Sequence, residues 1–401
     1  MKQNLPSLTG ARWWAAFAVY MLHALIFLQV YPFQKTELFA TIHRFVPMQL
    51  GAAGVTFFFI LSGFLIYWSN QQLTWARTPN YVLRRVTKIF PTHLIGVGLF
   101  LLASYSLTTG WVLDFSRLEV WLPNVLLVHT WVPSWANLAT LNVPDWSLAA
   151  EMLYYLTFPL LIPLVRRIHG RGNWIGLAGT FLISLAIITC VHLFAPGSKE
   201  TANFFVPILW DGSVSPIADV HAHHLWFERA AGTVDVTYWL SYYFPVTRFF
   251  EFYLGVFAAK LIGERQFTYT RIVPPLVLLA LSYMATWWVP LAFKMSVVMS
   301  VPMTLVIATL AARDIAGKTG WIGSRFSVLL GNISFAFYIV QFPVMVAVQR
   351  YIIVGAQWGF LGWFGAAALC FAISVVLSWV IYTYVDAPLM RAVQQFHFRV
   401  Q

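Results

Sequence analysis

The sequence predicts an all-α fold: a polytopic integral membrane bundle of about ten transmembrane helices with both termini cytoplasmic. Three observations predict it. Of the 401 residues, 60% are hydrophobic and only 10% are charged. Soluble domains carry about 25% charged residues, so a soluble chain of this composition could not cover its own surface. The apolar residues gather in stretches near the roughly 20 needed to cross a bilayer, and the cations gather in alternate loops between them.

The stretches fall at roughly 8–30, 50–69, 89–107, 147–165, 174–194, 246–263, 272–290, 295–312, 328–349 and 360–384. The first runs to about Val30 with no clear small-residue cleavage site after it, so it reads as a retained span rather than a secretory leader. Leu118 to Trp135 is apolar but contains Pro123 and Pro133, and is expected to be interfacial or re-entrant. With no repeat or soluble appendage visible, residues 1–401 read as a single membrane domain. Cys190 and Cys370 lie inside apolar stretches and are expected to be packed thiols rather than a disulfide.

Charge sets the expected orientation. With the N-terminus inside, the inner side holds Lys2, Arg12, Arg77, Arg84, Arg85, Lys88, Arg166, Arg167, Arg171, Lys260, Arg265, Arg271, Arg313, Lys318, Arg325, Arg391 and Arg399. The outer side holds Lys35, Arg44, Arg117, Lys199, Arg229, Arg248, Lys294 and Arg350, spread over longer loops. This is the positive-inside pattern, and it accounts for the net charge of +11 without nucleic-acid binding. Two long loops, roughly 108–146 and 195–245, then face outward; both are rich in Trp, Tyr, Pro and His.

Polar groups at membrane depth are costly, so each is a candidate for function. Arg12 and His23 are eleven residues apart in the first span. That is about 20° past three full turns, so both project from one face, roughly 16 Å apart along the axis. A snorkelling arginine and a hydrogen-bonded core histidine would be the plain alternative. Asp145 and Ser147 are candidate caps at the start of the fourth span, and Glu151 follows about one turn in. Arg84, Arg85 and Lys88 precede the third span; they can anchor the helix against anionic lipid or clamp a phosphate group.

These residues resemble the membrane-bound acyltransferase-3 family, carbohydrate O-acyltransferases of bacterial surfaces, along nearly the whole chain. Arg12 and His23, with ten residues between them, resemble the family's opening signature. Gly54 to Leu65, which includes Ser62-Gly63-Phe64, is similar to its second-span pattern. Arg84-Arg85 with Pro91 resembles its basic motif, and Trp146-Ser147-Leu148 with Glu151 its Trp-Ser-Leu-x-x-Glu motif. Arg248 to Gly255 and Gly331 to Tyr338 resemble two later stretches. Three positions depart from the pattern: Lys88 for a third arginine, Gln341 for a frequent histidine and Asp386 for a frequent glutamate.

The resemblance implies a bacterial inner-membrane enzyme that moves an acyl group, most simply acetyl, from cytoplasmic acyl-CoA to a hydroxyl of a surface or secreted polysaccharide or its lipid-linked precursor. His23 is the expected base and Glu151 its partner; Arg12, Arg84, Arg85 and Lys88 are expected to meet the donor phosphates. Ser62, Ser147, Asn332 and Tyr338 are candidate oxyanion or acceptor contacts. An acyl-histidine relay is an open variant. A transporter or flippase for a glycan or small solute is the alternative, although the internal repeat common in transporters is missing. No metal is expected: His221, His223, His224 and Glu228 are spaced only loosely for zinc.

Overall fold

Among the described residues, ten principal helices run up and down through one bundle, because each apolar stretch satisfies its own backbone hydrogen bonds only as a helix. The computed structural model describes residues 3–46, 48–105, 114–197, 234–353 and 357–395. The helices are α1 (Pro6–Phe27), α2 (Met48–Asn70), α3 (Thr78–Ser104), α4 (Trp146–Arg166) and α5 (Arg171–Phe194). They continue with α6 (Pro245–Gly263), α7 (Val273–Ala285), α8 (Val297–Ile315), α9 (Arg325–Val348) and α10 (Phe360–Ile381). Among the described residues, eight helical segments are long and apolar enough to cross a membrane. The two principal helices outside that set have clear reasons. Helix α6 carries Arg248, Glu251 and Lys260, all buried, and α7 has only 13 residues.

Helix ends show the alternation directly. Gln3 donates to the Ile315 carbonyl at the end of α8, and Trp68 at the end of α2 donates to Gln3. Arg166 reaches Leu73, Asn173 reaches Glu264, Arg313 reaches Thr270, and Lys88 pairs with Asp386. Both described ends of the chain therefore lie at the same end of the bundle, and the inner-side arginines cluster there. The expected charge count needs three corrections: Arg248, Lys294 and Lys260 are not loop cations but are buried in the bundle.

Helices α1, α2, α6, α8 and α9 form the centre, with α5 and α10 on the rim. The most apolar stretch of α8 is 83% buried, that of α5 only 22%. Ile175, Leu182, Leu193 and Phe194 of α5 stand exposed, a surface suited to lipid. Cys190, expected to be packed, is exposed, whereas Cys370 is buried; both are free thiols. Close backbone approach fixes the centre. A β-carbon at Gly63 would overlap the Phe252 carbonyl, and one at Gly255 would overlap Ile60, so α2 and α6 cross on two glycines. Gly331 meets Thr9 in the same way where α9 crosses α1. Such small-residue contacts drive helix packing in lipid, where apolar burial gives no advantage.

The 118–135 stretch falls into short pieces, Leu118–Val125, His129–Trp131 and Trp135–Leu138; Pro123 lies inside the first and Pro133 between the last two. Of the long loop 195–245, the described part is 195–197 and 234–245, which includes short helical turns before α6. The cluster His221, His223, His224 and Glu228 lies outside the described residues.

Candidate active site

A cavity of about 210 Å³ lies where α1, α2, α3, α4 and α9 converge. Arg12, Ser62, Arg85, Lys88, Ser147, Glu151, Tyr155 and Tyr338 line it, among apolar side chains that include Phe58, Leu65 and Phe335. Seven of the residues singled out in the sequence thus meet at one place. Arg12, Arg85 and Lys88 sit toward the basic end; Ser147 and Tyr338 lie deeper.

Arg85 and Lys88 line the cavity and Arg84 does not, although the three side chains fall within about 100° of one another around α3. The expected trio of Arg84, Arg85 and Lys88 is therefore not assembled here. Lys88 is also committed elsewhere: its ammonium lies 2.9 Å from Asp386 and 4.8 Å from the centre of the Phe335 ring. Thr92 donates to the other oxygen of Asp386 at 2.5 Å, so this pair ties the segment after α10 to α3. Arg12 and Arg85 remain as the cavity's cations. The Arg85 guanidinium lies over the rings of Tyr81 and Tyr155, and its buried Nε has no hydrogen-bond partner.

Glu151 heads a short hydrogen-bonded chain. Tyr155, one turn further along α4, donates its hydroxyl to Glu151 at 2.9 Å. That uses the only phenolic hydrogen, so Ser62 donates to Tyr155, at 2.8 Å. Arg12 and Arg85 are near enough to Glu151 for their charges to act on it. With Lys88 and Asp386 cancelling, two cations against one carboxylate leave the cavity positive. This and the unpartnered Nε fit a polyanionic ligand such as the phosphates of an acyl-CoA.

His23 is elsewhere. It lines a separate cavity of about 30 Å³ toward the opposite end, with Phe27, Trp135, Trp146, Tyr242 and Tyr243. Its ring centre lies 4.9 Å from that of Phe27, and its buried Nδ1 has no hydrogen-bond partner. Glu151 and the imidazole, expected as partners, line different cavities among the described residues. Ser147 lines the cavity of Glu151, and Pro144 and Trp146 line that of His23. Asn332 lines neither cavity.

Asp145 does not cap α4 with its side chain. It lies 2.6 Å from His93 Nδ1 and accepts from Asn142 at 2.8 Å, while the other nitrogen of His93 lies 3.2 Å from the Val125 carbonyl. Ser147 likewise bonds to Pro144 and Tyr338 instead of capping. The sequence reasoning missed His93 and Tyr155. The available signals were a histidine at depth in the third span and a tyrosine four residues after Glu151.

Fold and site together define a polytopic helical membrane protein with a cationic cavity and, in a second cavity, a half-buried histidine. The acyltransferase-domain family, acyltransferase-3, matches residues 5–383, and the chain belongs to that family. It is 34% identical to acyltransferase MdmB of Streptomyces mycarofaciens over 97% of this chain and 92% of the relative. It is 24% identical to nodulation protein 10 of Rhizobium leguminosarum bv. viciae over 47% of this chain and 56% of that protein. Family membership supplies the reaction class, acyl transfer, and with it an acyl donor as co-substrate.

Proposed function

We propose that the protein transfers an acyl group, most simply acetyl, from acyl-CoA at the basic end to a hydroxyl of a polysaccharide or its lipid-linked precursor at the opposite end. The observation that carries this is the single cavity joining Arg12 and Arg85 to Glu151, with His23 further along the same helix as Arg12. Positive-inside bias makes the basic end cytoplasmic, and the membrane is the bacterial plasma membrane.

The donor phosphates meet Arg12 and Arg85, with Arg84 at the cavity's approach. The extended arm then runs between α1, α2 and α4 along Leu65, Phe58 and Phe335. Glu151 belongs to the donor side, where it balances the two guanidinium groups and orders Tyr155 and Ser62. An alcohol attacks a thioester only as its proton leaves, and a neutral imidazole is suited to take it. His23 fills that role, with its ring among aromatic walls that suit a sugar face.

The test is purified protein with labelled acetyl-CoA and an oligosaccharide. Acceptor-dependent ester formation is expected, and His23→Ala should lower it by about 10³-fold while the protein stays folded. Full activity in that variant rejects the base assignment. Vectorial uptake of the glycan without modification would instead support a transporter.

A further inference from the structure

The two cavities are divided by a wall made of few atoms. Ser147 and Tyr338 line the donor side, and Pro144 and Trp146 line the His23 side. Three oxygens close the gap between α4 and α9. The Tyr338 hydroxyl lies 3.1 Å from the Pro144 carbonyl and 3.0 Å from Ser147 Oγ, which itself lies 3.2 Å from that carbonyl. Both side chains are buried.

The wall is fastened to a weak point of α9. A regular helix would have residue 343 donate to the Ile339 carbonyl, but Pro343 has no N–H. Asn142 supplies the missing donor at 3.0 Å, and the same side-chain nitrogen holds Asp145 at 2.8 Å. Asp145 in turn is held by His93 of α3. The segment 142–147 is therefore pinned to α9 one residue beyond Tyr338, at a proline where the helix can bend.

Resting on the donor assignment above, we propose that Tyr338 and Ser147 form a partition that couples donor cleavage to acceptor. Closed, it keeps the thioester away from His23 and from water on that side. Bending of α9 at Pro343 draws Tyr338 off Pro144 and lets the acyl carbon reach the imidazole. A partition that fails to close exposes the thioester to wasteful hydrolysis. In that side reaction a water oxygen bonds to the acyl carbon, the carbon–sulfur bond breaks, and CoA thiol, a carboxylate and one proton are released. Tyr338 and Ser147 are thus positioning residues, and their signature is the coupling ratio rather than the rate.

The experiment measures acyl ester formed per CoA released, with and without oligosaccharide, for wild type, Tyr338→Phe and Ser147→Ala. Tyr338→Phe loses the phenol oxygen but keeps the ring, and its coupling ratio should fall about tenfold through acceptor-independent CoA release. Ser147→Ala keeps the bond between Tyr338 and Pro144 and should fall less. It also decides the matter if Tyr338→Phe does not fold. Variants that turn over more slowly at the wild-type ratio would overturn the partition. Wild-type protein that forms no ester at all would sink the donor assignment, and the partition with it.

Discussion

Two arginine–glutamate groupings lie at membrane depth in this bundle, and they are built in opposite ways. Arg248 in α6 is fully buried and all three of its guanidinium nitrogens are engaged. It donates to both oxygens of Glu251 at 2.8 and 2.9 Å, to Thr56 at 2.9 Å and to the Tyr242 carbonyl at 3.2 Å. The grouping is neutral and joins α6 to α2. At the cavity, Glu151 takes its hydrogen bond from Tyr155, and Arg85 keeps a buried Nε without a partner. The first arrangement has donors and acceptors matched internally, as a structural ion pair must. The second has donors left over, as a site for an anion must. Residue type is alike in both; Arg248 and Glu251 are buried whereas Arg12, Arg85 and Glu151 are half-buried around a cavity, and that exposure together with the hydrogen-bond accounting separates the two.

That contrast can be broken by substitution. The largest effect is expected at the structural pair: Arg248→Met leaves Glu251 buried and unpaired and should cost about 3–5 kcal/mol. Thermal unfolding in detergent measures it, and an unchanged midpoint would remove the distinction. Glu151→Gln should be milder for the fold but should lower acyl transfer by about 10²-fold, since it strips the counter-charge from Arg12 and Arg85. Wild-type turnover in that variant would make Glu151 a bystander. Arg85→Ala should raise the donor KM about tenfold, the scale of one charge-assisted hydrogen bond, with little change in kcat. The smallest effect is expected for Arg84→Ala, within about twofold on the same KM. Equal shifts for the two arginines would contradict the lining of the cavity by Arg85 and not Arg84.

The glycine motifs show why so much was legible. Gly63, Gly255 and Gly331 belong to the stretches that carry the family resemblance, and each stands where two helix backbones touch. A motif of that kind reports packing, so it locates helices reliably and chemistry only indirectly. Ser62 is the informative neighbour: one residue from Gly63, it turns to the cavity and joins the Glu151 chain. Lys88 shows the reverse. It reads as a phosphate ligand beside Arg85, yet Asp386, almost three hundred residues away, has taken its charge. No local pattern reveals such a partner.

Apolar length, basic loops and the order of polar residues along ten stretches determined the bundle, its up-and-down course and the residues worth watching. They could do so because lipid forces each span to be a helix, and helical periodicity then assigns faces. Only the tertiary structure decided which side chains meet. It set Arg84 aside, paired Lys88 with Asp386 and Asp145 with His93, and put Glu151 and His23 in different cavities. Those outcomes depend on how helices distant in sequence cross and at what depth. Crossing is governed by backbone contact at glycines and by broken hydrogen bonds at prolines such as Pro343, whose partners lie on other helices.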